Sequence, residues 1–271
     1  MKVAYVGIDI LYPVLTSLYD TDAEIIKVYT CETDNITEFN TQTIAFAKAH
    51  NIPLQTKRIT ADDLRELVSL GCKFVLFGGY YYRIPVIDEL PIVNTHPALL
   101  PFGRGAWPMP LTILKGLTES GVTMHRMVMA LDEGDIILQE KIPVYPETDD
   151  LIILTKRQWS VIPEMVKKLV SDFDNLWENA YPQEGNAEYW PMPLEKDYTV
   201  TSDMSFPQAD LILRSFYSYE CIYEDKNEGT RLEFIEAKAH KGTPSDQQTE
   251  KIWPIKDGYI TCERIRDITN G

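Results

Sequence analysis

The chain has 271 residues, 44% of them hydrophobic and 25% charged, which suits one large globular domain or a main domain with a smaller appendage. A net charge of −15 repels phosphate backbones at long range and argues against an extended nucleic-acid surface, while leaving room for a small anionic substrate in a local basic pocket. The apolar runs, such as Lys73 to Phe77, are too short to cross a bilayer, and the four cysteines and four histidines lie too far apart to read as a structural zinc site.

Met1 to Ile8 carries no signal-peptide pattern, so a cytoplasmic location is expected. Val3 to Ile8 reads as a buried strand, Tyr12 to Tyr19 as a short helix with Pro13 in its first turn, and Ala23 to Thr30 as a second strand. Thr41 to His50 has helical character and is closed by Asn51-Ile-Pro53. Thr60 is a good N-cap for a helix over 61–70, with Asp62 and Asp63 near its positive end and Gly71 as its terminator. Cys72 to Phe77 and Ile92 to Asn94 are further apolar strands. Strands alternating with helices predict an α/β fold, Rossmann-like, with a mostly parallel sheet covered on both faces. Gly121 to Val128 and Asp135 to Val144 read as a hairpin-like pair, and Asp149-Asp150 caps a long helix running to about Phe173. Tyr181 to Pro193 looks like a linker, after which a helix near 206–217 and a β-rich tail make a small C-terminal α+β domain. The expected division is a catalytic domain over 1–180 and a small domain over 181–271.

Sites in such sheets form at the carboxyl ends of strands. Asn94 and His96 stand where a strand ends, and two residues apart on an extended chain they point to the same side. An amide and an imidazole aimed at one point can donate to a developing oxyanion and move a proton. Taken alone, Asn-x-His also suits a turn-capping asparagine beside a surface histidine, and Asp132 in Leu131-Asp-Glu-Gly134 also suits an ordinary turn aspartate.

Four blocks in order change that weighting: Asn94-x-His96, Leu100-Pro101 with Arg104-Gly105, Gly121-Val-Thr123, and Leu131-Asp-x-Gly134 leading into Asp135 to Gln139. Together they resemble the signature of the folate-dependent formyltransferases. The resemblance extends back over the N-terminal sheet and, more loosely, forward into the second domain. It implies N10-formyltetrahydrofolate as formyl donor and no metal. It also implies a catalytic trio, in which Asn94 bonds the formyl oxygen, His96 helps stabilise the tetrahedral intermediate, and Asp132 orients the groups and takes the proton the amine loses. The segment Gly79 to Pro85 matches the loop that receives the pterin, with Tyr82, Arg83 and Ile84 at its edge and Leu131 and Gly134 on the facing loop. Three tyrosines and an arginine in a row also suit a wet surface strand.

Among acceptors, the wording around Tyr81-Tyr-Arg83, Gly121 to Val128 and Pro146 to Asp150 is similar to that of enzymes acting on nucleotide-linked amino sugars, dTDP- or UDP-4-amino sugars of surface-polysaccharide synthesis. The acid-rich tail, with Asp197, Asp203, Asp210, Glu220, Glu224, Asp225 and Glu228, favours that class over a tRNA. Arg104, with Gly105, is the expected contact near the acceptor's phosphate, and a structural role for Arg104 stands beside that reading. Trp107 suits either stacking on a base or sugar or filling the core. His125 reads more readily as a packing residue. Methionyl-tRNA formylation and hydrolysis of the formyl donor are the alternatives, and a homodimer is left open as the assembly.

Overall fold

The structure, a computed structural model, describes residues 1–33, 39–225, 227–245 and 251–269. The last two residues of the expected C-terminal domain, 270 and 271, thus lie outside the described residues. In chain order the elements begin β1 (Lys2–Gly7), α1 (Tyr12–Tyr19), β2 (Glu24–Tyr29), α2 (Thr41–Ala49), β3 (Leu54–Gln55), α3 (Ala61–Ser69), β4 (Cys72–Gly78), β5 (Ile92–His96) and β6 (Phe102–Arg104). They continue with α4 (Pro108–Leu114), β7 (Glu119–Arg126), β8 (Ile136–Pro143), α5 (Leu151–Ser171), α6 (Phe173–Glu178) and β9 (Glu188–Tyr189). The remainder is β10 (Thr199–Thr201), α7 (Phe206–Ser215), β11 (Glu220–Asp225), β12 (Thr230–Lys241), β13 (Trp253–Ile255) and β14 (Gly258–Asp267).

Two compact units result. The first contains residues 1–105, 120–142 and 157–189; the second contains 106–119, 143–156 and 190–271. Two stretches that precede residue 181 therefore pack with the second unit, and the segment up to Tyr189 packs with the first. In the first unit, the larger sheet runs β3-β2-β1-β4-β5-β7-β8. β1 pairs in parallel with β2 and β4, and β4 in parallel with β5, so their carboxyl ends share one edge. β7 runs antiparallel to β5. Val3, Ala4, Tyr5 and Val6 are all buried, as expected of a parallel strand covered on both faces. One face packs on Val14, Leu15 and Leu18 of α1 and on Ile162, Val166 and Leu169 of α5. The other packs on Leu64 and Leu67 of α3.

Local sequence accounts for the helix starts. The Thr60 hydroxyl accepts the Asp63 N–H at 3.3 Å, and the Thr60 N–H donates to the Asp63 carboxylate at 2.8 Å, a reciprocal cap. Asp150 accepts the Ile153 N–H at 2.8 Å at the head of α5. α2 is held differently: Asp9, just past β1, reaches across to accept the N–H groups of Gln42 and Thr43, both at 2.9 Å.

In the second unit a sheet of order β10-β11-β12-β14-β13 packs against α7 through Leu213, Phe216, Tyr223, Phe234 and Ile260. Among the described residues, no helix is long and apolar enough to cross a membrane.

Candidate active site

β5 places Asn94 and His96 on one face of the sheet, and β7 sets His125 directly opposite Asn94 and Thr123 opposite His96. Asp132 arrives from the loop between β7 and β8 and is buried at 7% exposure. Its φ of +54° lies in the left-handed region, which aspartate tolerates better than most residues. Gly134, two residues on, has no alternative: a Cβ there would sit 1.8 Å from the Arg126 carbonyl oxygen.

These side chains meet. The Asn94 amide nitrogen lies 3.4 Å from Asp132 Oδ1 and 3.1 Å from His125 Nε2. His125 Nδ1 is 2.8 Å from the Arg126 carbonyl oxygen, which can only accept, so Nδ1 carries the proton and, in the neutral ring, Nε2 accepts from Asn94. The Asn94 amide nitrogen thus faces both groups, and among the described residues no donor reaches its carbonyl oxygen. His96 Nε2 donates to the Gly103 carbonyl oxygen at 2.7 Å, which leaves Nδ1 with its lone pair facing Asp132 Oδ2 at 3.8 Å. The other contact of Oδ2 is the Gly105 N–H, at 2.9 Å. The three residues singled out as catalytic, Asn94, His96 and Asp132, are thus brought together, and His125, read as packing, joins them.

Burial pushes the His96 imidazole below its ordinary value, opposed by the neighbouring Asp132 carboxylate, so the ring is neutral at neutral pH. For Asp132, burial alone would raise the pKa. At the acid pH where this carboxyl titrates, positive charge on the neighbouring His96 ring, with His125 Nε2 3.5 Å from Oδ1 and the Gly105 N–H on Oδ2, outweighs it and holds the carboxyl well below the usual carboxylate range. The resting site is a neutral imidazole beside a buried carboxylate.

The loop after β5 is also braced. Thr123 donates to the Ala98 carbonyl at 2.6 Å, and Gln139 donates to Thr123 and to the Leu100 carbonyl at 2.9 and 3.0 Å. Gln183, in the segment read as a linker, donates to the carbonyls of Asp132 and Gly134 and accepts from Arg104. Nothing in Tyr181-Pro-Gln183 announces this, because its proline and polar residues look like those of any connector.

Arg104 spends Nε and Nη2 on Gln183 and sets Nη1 3.2 Å from Glu133. Trp107 belongs to the second unit, where its ring lies 4.7 Å from that of Tyr219 and 5.8 Å from that of Phe216. Tyr82, Arg83 and Ile84 follow β4, whose Phe77 is the strand neighbour of Asn94. Ile84 is buried, Tyr82 is 43% exposed, and the Arg58 guanidinium stacks 5.3 Å over the Tyr82 ring. Among the described residues, the N–H groups of Tyr82, Arg83 and Ile84 have no backbone–backbone hydrogen-bond partner. Leu131 is 39% exposed beside Asp132.

Comparison with known proteins agrees with this architecture. The methionyl-tRNA formyltransferase of Anaplasma marginale is 27% identical over 248 residues, 88% of this chain and 80% of that protein. Against other curated relatives the chain spans about half their length, 49% and 45% in two cases. Among solved structures, the methionyl-tRNA formyltransferase from Clostridium thermocellum shares the fold at a TM-score of 0.61 and 17% identity, over 99% of both chains. An N-formyltransferase from Helicobacter canadensis, solved with folinic acid and dTDP-3-aminofucose, shares it at a TM-score of 0.66 and 18% identity, over 97% of this chain and 99% of that one. Residues 19–166, more than half of the chain, match the formyl transferase family. With its strand-end cluster inside that region, the chain belongs to the folate-dependent formyltransferase family.

Proposed function

We propose that the protein transfers a formyl group from N10-formyltetrahydrofolate to the amine of a nucleotide-linked amino sugar. The observation that carries the transfer is the meeting of Asn94, His96 and Asp132 at one strand end. The acceptor class rests on the net charge of −15 and the acid-rich second unit, which oppose a long polyanion and tolerate a small one.

The donor suits the segment after β4. A flat heterocycle with a polar edge needs backbone donors and acceptors, and the N–H groups of Tyr82, Arg83 and Ile84, beside the strand that adjoins Asn94, have no backbone partner among the described residues. Leu131 and Gly134 form the facing loop in this reading. When bound, the donor supplies an acyl group already activated for attack.

This chain's residues then handle charge and protons. The attacking amine loses a proton to these residues as it is acylated, and the same proton goes on to N10 as the bond from N10 to the formyl carbon breaks and tetrahydrofolate leaves, which restores the resting site. His96 Nδ1 carries a lone pair against Asp132 Oδ2, so a proton delivered between them turns a poor contact into a buried ion pair. As Asp132 shares that proton, its hold on the Asn94 amide weakens, and an N–H is released toward the charge developing on the formyl oxygen. Before that, the carbonyl oxygen of Asn94 can accept from the incoming amine. Arg104 and Trp107 serve here as positioning and packing residues, because their side chains are engaged within their own units.

The names of the sequence relatives favour a second reading, formylation of methionyl-tRNA. An acceptor screen with the formyl donor, dTDP- and UDP-linked amino sugars, methionyl-tRNA and water alone decides the matter. The proposal expects turnover on an amino sugar. Turnover on the tRNA only, or release of formate without an acceptor, would refute it.

A further inference from the structure

The segment that joins α6 to β9 is more than a connector. Tyr181 forms an antiparallel bridge with Ile136, and β9 pairs with β6, so both ends of the segment are fastened to the first unit. Between those ends Gln183 points inward and uses its amide in full. Its nitrogen donates to the carbonyl oxygens of Asp132 and Gly134 at 2.7 and 2.8 Å. Its oxygen accepts from Nε and Nη2 of Arg104 at 3.1 and 2.8 Å.

The two loops it joins are those that shape the acid–base pair. On one side, Gly103 holds His96 through its carbonyl and Gly105 holds Asp132 through its N–H, with Arg104 between them. On the other, Asp132 sits at a positive φ, a conformation that needs support from its surroundings. Gln183 is the one side chain among the described residues bonded both to the Asp132 backbone and to Arg104. A neutral amide is the group this position needs, since it must donate to two carbonyls and accept from a cation at once.

We propose that Gln183 is a positioning residue for formyl transfer, setting the Asp132 carboxylate against His96 by clamping the 103–105 and 130–134 loops together. This rests on the reading of Asp132 as catalytic, and it assigns to the joining segment a part in the chemistry. Gln183 itself touches neither donor nor acceptor in this scheme, so its loss acts first on turnover and reaches donor binding only indirectly, through the Gly134 carbonyl it holds on the facing loop.

Two variants separate its roles. Gln183→Ala removes the clamp. Gln183→Glu keeps the length and the acceptor for Arg104, but aims a carboxylate oxygen at two carbonyls. Both should lower kcat about 10- to 100-fold and change the donor KM by less, within about 3-fold, because the proton-handling groups lose their placement directly while the donor-facing loop is disturbed only at the Gly134 carbonyl. Amide exchange is read in parallel, and the Gly105 N–H, which depends on Asp132 staying in place, should lose protection in both variants. Near-wild-type kcat, or unchanged Gly105 protection, overturns the inference. So does unfolding of both variants in a thermal melt, which would make Gln183 a structural residue only. If the wild-type chain turns over no acceptor, the functional reading fails on its own, while the Gly105 exchange result still decides the clamp.

Discussion

Two regions at the carboxyl edge of the sheet are built in opposite ways. The loops carrying Gly103 to Gly105 and Asp132 to Gly134 are cross-bonded to each other, to His96 and to Gln183. The segment carrying Tyr82 to Ile84, which leaves the neighbouring strand, keeps the N–H groups of those three residues out of backbone pairing with any described residue. The first arrangement fixes charge before any ligand arrives, as electrostatic preorganisation requires. The second leaves hydrogen-bonding capacity for a ligand to use. Chemistry should therefore depend on the first region and donor affinity mainly on the second, with a smaller share from Gly134 on the facing loop.

The largest effect is expected at the buried carboxylate. Asp132→Asn keeps the shape but removes the charge, and kcat should fall by about 10²–10⁴-fold with the donor dissociation constant nearly unchanged. A comparable loss of donor affinity in a titration would erase the division between the regions. Next comes Gly134→Ala, where the added methyl meets the Arg126 carbonyl. A cost of about 2–4 kcal/mol is expected in denaturant melts, because backbone rather than a mobile side chain must give way. In the other region, Arg83→Pro deletes one N–H and should raise the donor KM about 3- to 10-fold at nearly constant kcat. Tyr82→Ala, which leaves the backbone intact, should change the donor KM by less than about 2-fold, and a larger change would shift recognition from the backbone to the ring.

The smallest effect is in pH. Burial lowers the His96 pKa from its ordinary value, so the neutral ring persists below it. The acid limb of kcat should accordingly have its midpoint below about 6.5, the unperturbed histidine value. The same shift makes the unfolded chain take up a proton before the folded one, so His96 should cost stability as pH falls from about 6.5 toward its folded pKa. The depressed Asp132 pKa acts lower. Its contribution is fully present above the unfolded carboxylate value, about 4, and is lost as pH falls through the folded value. Melting temperatures of wild type and Asp132→Asn across this range should converge on acidification.

Much of this fold was legible because local signals agreed with global packing. Thr60 with Asp63, Asp150 at the head of α5, and the buried run from Val3 to Val6 each predicted their elements. Asn94 and His96 were legible as a pair because strand periodicity puts them on one face. His125 was not, since its role depends on lying opposite Asn94 in an antiparallel register that no local pattern states. Gln183 was hidden for a similar reason: its partners lie 51 and 79 residues away in sequence. Trp107 could be read two ways, and only the packing of the second unit shows the ring against Phe216 and Tyr219.

In formyl transfer Asn94, His96 and Asp132 should act as one unit. A double-mutant cycle on kcat with Asn94→Ala, Asp132→Asn and the combined variant tests it most directly. Strong coupling is expected, with the double variant about as slow as the slower single one. Independent, multiplying losses in the double variant would contradict it.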